Sequence, residues 1–152
     1  MSSSRLTAEH AAVLAAMLDR LIPDDKHGPG ARAAGVCSYI ERALAAEHHD
    51  QRDAYFRGLT ALQALARARH GSSFDGLDAA AQDALLAETE RAPTAFFERV
   101  RRHAIEGMFG DPRWGGNRGY AGWELLGYPG PRAEWTERDQ RLDAVPDGGR
   151  LS

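Results

Sequence analysis

One cysteine, Cys37, stands in a chain of 152 residues, so no disulfide can form within it. Its surroundings, VCSYI, are apolar and helically periodic, which marks a buried structural thiol; a nucleophilic cysteine needs a setting that lowers its pKa. No apolar run reaches the roughly 18 residues that cross a bilayer. Positive charge is not in excess: the formal net charge is -3, which excludes the basic stripe a nucleic-acid surface needs. The first residues, MSSSRLTAEH, hold neither a basic stretch followed by an apolar one nor a paired-arginine export signal. The expected setting is the cytoplasm, or the periplasm if the chain travels with an exported partner or has lost a signal.

Motifs that carry chemistry are also missing. No GxGxxG follows a strand, no P-loop closes on Lys-Ser or Lys-Thr, and no GxSxG elbow occurs. Haem and iron–sulfur spacings are absent. The six histidines are His10, His27, His48, His49, His70 and His103, and no HExxH-type spacing links them. His48, His49 and Asp50 are adjacent, so their side chains leave a helix in different directions. No metal ligands are therefore expected. Asp24 and Asp25 precede a glycine-rich turn but lack the twelve-residue ligand pattern of a calcium loop, and read as turn and cap residues.

What is present is helical periodicity, with no convincing period-2 run. Thr7 is placed to cap a first helix, with Glu9 at its positive end and Val13, Leu14, Met17, Leu18 and Leu21 on its buried stripe. Pro23 ends it, and residues 23–30 form a loop. Val36, Ile40 and Leu44 share a face of a second helix. A third runs from about His49 to His70 with Tyr55, Leu59, Leu62 and Leu65 inward, and Gly71 suits its left-handed end. Asp78 can cap a fourth helix that buries Leu85 and Leu86. Thr94 is placed to cap a fifth, with Phe97, Val100, Ala104 and Met108 inward and Arg99, Arg101 and Arg102 on a solvated face or an interface rim. The fold class is all-α: a compact bundle or array of about five helices, with a glycine- and aromatic-rich loop and an extended C-terminal arm. The helical domain spans 1–130 and the polar arm 131–152.

The stretch from Asp111 to Gly130 reads DPRWGGNRGYAGWELLGYPG. Its rings must be buried somewhere, either on the parent bundle or against another polypeptide. Aromatic and arginine side chains dominate interface hot spots because they bury much area with few rotors. Trp123, Leu125 and Leu126 can cap the bundle core. Trp114 and Tyr120, in the glycine-richest part, are candidates for partner contact. Trp135 is a lone large apolar residue in the arm.

At this stretch the sequence resembles a known family. The order LIPDD, GPGARAAGVCSYIERAL, YFRGLTAL, FDGL and FFERVRRHAIEGMFGDPRWGGNRGYAGWELLGYPG is similar to the gluconate 2-dehydrogenase subunit 3 family, the small (gamma) subunits of membrane-linked, FAD-dependent sugar and sugar-acid dehydrogenases. Its most specific parts are Leu21, Ile22, Pro23 and Asp24, then Pro29, Gly30 and Ala31, then Asp111, Pro112, Gly115, Gly116, Asn117, Trp123, Gly127, Tyr128, Pro129 and Gly130. The resemblance implies a chain with no cofactor of its own. FAD and the substrate chemistry belong to a large partner subunit of the glucose–methanol–choline (GMC) oxidoreductase type. The small subunit serves that partner's folding, maturation or export. Many members begin with a twin-arginine signal, and MSSSRLTAEH departs from them there. The expected partner-binding residues are Trp114, Asn117, Tyr120, Trp123, Tyr128 and Trp135. The competing expectation is a free-standing helical enzyme or small-molecule binder, with a pocket between bundle and aromatic loop and Asp24, Asp25, His27 or Asn117 as its polar groups.

Overall fold

The structure, a computed structural model, describes residues 6–128. Trp135 and the expected arm at 131–152 lie outside them. Among the described residues there are seven helices and no strand. They are α1 (Ala8–Leu21), α2 (Ala31–Ala34), α3 (Val36–Ala45), α4 (Arg52–His70), α5 (Ala79–Arg91), α6 (Phe96–Phe109) and α7 (Ala121–Leu126). Five long or medium helices match the expected array, and two short ones, α2 and α7, add to it.

Local chemistry explains most boundaries. The Thr7 hydroxyl accepts from the His10 amide at 3.1 Å and so satisfies one of the donors a helix start leaves open. Asp78 does the same for α5, accepting from the Ala81 amide at 2.8 Å. Gly71 ends α4 with φ 66°, and its amide bonds to the Arg67 carbonyl. The expected second helix is divided at Gly35, whose φ of 70° makes it the left-handed joint between α2 and α3. The expected third helix begins as a 3-10 turn at His49–Gln51 before α4 proper.

Thr94 does not cap α6. Residues 92–95 are bends, and Ala95 stands at the cap position without a side-chain bond. The chain stays irregular until Phe96, whose ring lies against Gly58 of α4 so closely that any Cβ there would overlap it.

The core is one cluster. Val13, Leu14, Met17 and Leu18 of α1 meet Ile40 and Leu44 of α3, Tyr55, Leu59 and Leu62 of α4, and Val100, Ala104 and Met108 of α6. Each such large side chain contributes about 1.5–3 kcal/mol when fully buried. Leu21 and Leu65 sit at the edge of the cluster, partly exposed. Phe74, in the turn before α5, is held through its own backbone. Its amide donates to the Gln63 side chain at 2.7 Å, and its carbonyl accepts from Gln82 at 2.9 Å. Both glutamines are buried because the turn gives them partners. Cys37 is half-buried, not enclosed as expected. Its thiol is pushed up to about 12 by burial and then by the Glu41 charge, so it stays protonated at neutral pH.

A self-fastened aromatic loop as candidate site

Residues 111–128 follow α6 and fold back on its last turn. Asp111 accepts from the Arg113 amide at 3.0 Å, and Pro112, which has no N–H to leave unpaired, opens a 3-10 turn at Pro112–Trp114. That hydrogen bond, with the Arg113 guanidinium beside it, holds the Asp111 carboxyl below the usual carboxylate range. A second 3-10 turn covers Arg118–Tyr120, and α7 follows at once. The sequence reading expected a loop here, and the short helix α7 adds to it. Its six residues are too few to show a helical period, and packing against α6 and α2 holds it in place.

Asn117 is the hub, fully buried. Its amide donates to the Gly107 carbonyl at 2.7 Å, and its side-chain nitrogen donates to the Gly110 carbonyl at 2.9 Å. Its side-chain oxygen accepts from the Gly122 amide at 2.7 Å and, more weakly, from Trp123 at 3.4 Å. The backbone at Asn117 has φ 49°, a left-handed conformation asparagine tolerates better than most residues. Two glycines allow the close approach. A Cβ on Gly116 would stand 2.1 Å from the Gly107 carbonyl oxygen, and one on Gly122 would stand 1.9 Å from that of Met108.

Trp123 is buried as well. Its indole nitrogen donates to the Phe109 carbonyl at 2.7 Å, and its ring lies between Tyr120 (5.6 Å between centroids) and Tyr128 (5.1 Å, edge to face). The hydrogen-bonding atoms of Asn117 and Trp123 are therefore taken up inside the chain. Both were expected as partner contacts, and Trp123 also as a core cap; within the chain they hold the loop from inside.

The other three described candidates face outward. Trp114 is 54% exposed, Tyr120 56% and Tyr128 47%. Leu125 and Leu126, expected as alternatives to cap the core, are exposed too, although Leu125 reaches Gly28 in the 23–30 loop. Tyr120 has φ 60°, a strained setting for a bulky residue that only an over-determined surrounding sustains. Arg113 lies 5.6 Å from the Trp114 ring, in cation–π range.

The polar groups expected for a small-molecule site do not converge. Asp24 accepts from the Gly30 amide, Asp25 accepts from the His27 amide at 2.7 Å, and Asn117 is buried. A pocket of about 160 Å³ does lie where α1, α2 and α3 meet Arg118, but none of these four residues lines it. A larger cavity of about 610 Å³ opens between α4, α5 and the start of α6, and no residue of the aromatic loop lines it.

Sequence reasoning missed one cluster. His103 and Glu106 stand three apart on α6, and the fold brings His48 to them from the turn after α3. The short spacing was present in the sequence; the third member comes from a distant segment.

The family model described as gluconate 2-dehydrogenase subunit 3 matches residues 8–130. No curated protein and no solved structure matches the chain. The residues that carry the late block of the resemblance now have physical roles: Asp111 and Pro112 start the loop, Gly116 permits the approach to α6, Asn117 and Trp123 fasten it, and Gly127 closes α7 at φ 67°. With most of its length matched and its most specific motif explained by the fold, the chain belongs to the gluconate 2-dehydrogenase subunit 3 family.

Proposed function

We propose that this chain is a non-catalytic small subunit that binds, stabilises and helps mature a large FAD-dependent partner of the GMC type, which oxidises a sugar or sugar acid. The flavin and the reacting atoms belong to the partner in this reading, and the chain resides wherever the partner does. The observation that carries it is the contrast within the aromatic loop. Buried hydrogen bonds fix its backbone firmly enough to hold Tyr120 at positive φ, yet the Tyr120 and Trp114 rings stay more than half exposed. Rigid, exposed aromatic area is what an interface needs, because little side-chain freedom is lost on docking.

Co-expression with a GMC-type flavoprotein subunit tests the proposal. The chain should retain a flavin-loaded partner through purification. Trp114→Ala combined with Tyr120→Ala should weaken the complex about 30-fold or more, the scale of losing a hot spot, while the free chain keeps its helical content. Failure to retain any flavoprotein, or an unchanged affinity in the double variant, overturns it.

The 610 Å³ cavity favours a second reading, a small apolar ligand bound by the chain itself. Its walls include Gly58, Ala61, Leu62, Leu65 and Phe96, with Arg57 and Arg99 at hand. The volume falls within the range of ligand sites. Stoichiometric binding of an apolar anionic probe to the purified chain, lost on filling the cavity with Ala61→Leu, would favour it.

A further inference from the structure

Three potential ligand atoms, one each from His48, His103 and Glu106, lie within 4.8 Å of one another. We propose that these three residues form a binding site for one divalent transition-metal ion of the zinc class. The site is separate from the aromatic surface and does not depend on the partner reading.

The donor set is the first argument. Two imidazoles and one carboxylate suit a borderline divalent ion, and three protein ligands leave a fourth position for water. The His48 Nε2 and Glu106 Oε2 atoms are 3.4 Å apart, close to the roughly 3.3 Å edge of a tetrahedron with zinc–ligand bonds near 2.0 Å. The remaining separations are no more than 4.8 Å, and His48 and Glu106 are the two members with solvent access. The same access supplies an entry path.

The second argument is the surrounding shell. His103 is 2% exposed, and its Nδ1 is bonded to the Tyr55 hydroxyl at 2.8 Å. That leaves Nε2 as the nitrogen for a ligand, with Nδ1–H donating to the Tyr55 hydroxyl in the ligating tautomer and Tyr55 holding the ring. Tyr39 donates to Glu106 Oε2 at 3.3 Å and orients the carboxylate in the same way. Hydrogen-bonded partners behind the ligands are what distinguishes a built metal site from charged residues that happen to meet.

The third argument is charge. His48 and His103 stack with centroids 4.5 Å apart and rings 8° from parallel, an arrangement that two imidazolium rings would oppose. A His48–Glu106 ion pair accounts for the 3.4 Å contact but not for a second imidazole stacked beside it. A bound ion would clamp the turn after α3 to α6, since His48 belongs to the first and the other two to the second.

The test uses untagged full-length chain stripped with a chelator, titrated with Co²⁺ and followed by visible absorption, then with Zn²⁺ by calorimetry. The expected result is one equivalent of cobalt with four-coordinate ligand-field bands, displaced by zinc, and a rise in melting temperature on adding zinc. His48→Ala and Glu106→Gln change solvent-facing ligands and should keep the circular-dichroism spectrum while each weakens zinc binding at least 100-fold. Tyr55→Phe should weaken it about 10- to 100-fold through the ring it orients. His103→Ala, which opens the core, is not needed for the decision. Absence of uptake at micromolar metal, or uptake unchanged in a folded His48→Ala and Glu106→Gln double variant, overturns the proposal.

Discussion

Replacing Asn117 by alanine removes three side-chain hydrogen bonds but leaves the backbone they served in place. The largest loss is at the Gly122 amide, which is buried and donates to the Asn117 side-chain oxygen at 2.7 Å. A buried donor without a partner costs about 1–3 kcal/mol. The Gly110 carbonyl, accepting at 2.9 Å, is only part-buried and regains water at smaller cost, and the 3.4 Å bond from Trp123 adds little. Alanine at φ 49° adds about 1 kcal/mol of backbone strain. The sum is on the order of 3 kcal/mol, and it falls on the loop first, because α7 can lift from α6 without unfolding the core. Amide hydrogen exchange should therefore report it best. Opening at Gly122 and Trp123 should become about 100-fold more frequent, since each 1.4 kcal/mol is a factor of ten, while amides in α1 and α4 change little. Asn117→Gly separates the two contributions, because glycine loses the same hydrogen bonds without the strain. A change below about threefold at Gly122 in Asn117→Ala would refute the claim that this side chain fastens the loop.

Gly122→Ala should destabilise the chain by at least about 2 kcal/mol in chemical denaturation, because its methyl group would meet the Met108 carbonyl and lift α7; stability within 0.5 kcal/mol of the parent, as a rough threshold, would show that the contact yields. His103 carries a pH dependence. Its folded-state value of about 4 lies below the ordinary 6.5, so the unfolded chain binds more protons between those values. Stability should be flat above about pH 6.5 and fall by up to ~3 kcal/mol as pH drops toward 4. The carboxylates held low by their partners, Asp83 and Asp111 among them, act only below the ordinary carboxylate range. Denaturation midpoints at pH 7 and pH 5 check the window, and equal stability at the two would contradict it.

How far the sequence could be read depended on range. The stripes of α1, α4, α5 and α6, the caps at Thr7 and Asp78 and the left-handed Gly71 were legible because each is set within a turn or two of chain. Gly35 was not read as a joint, since a glycine within a helical pattern leaves its φ open until Arg118 and α2 place it. Asn117 gives no local sign of burial: its amide looks like a surface residue until Gly107, Gly110 and Gly122 surround it. Trp123 was read as able to cap the core and Tyr120 as a partner contact, and the Phe109 carbonyl that holds the Trp123 indole is the long-range reason the first ring turns inward. The His48, His103 and Glu106 cluster needed two segments far apart in the chain to meet.

The loop grips α6 through that helix's own final carbonyls. Gly107, Phe109 and Gly110 each accept a bond from it, and Gly122 rests on Met108. Those oxygens take their positions only once α6 has wound to its last turn, and α6 packs mainly against α3 and α5. Among the described residues, the outward rings are thus placed only through the end of α6. On the proposed function, a partner that docks on them would depend on a closed core.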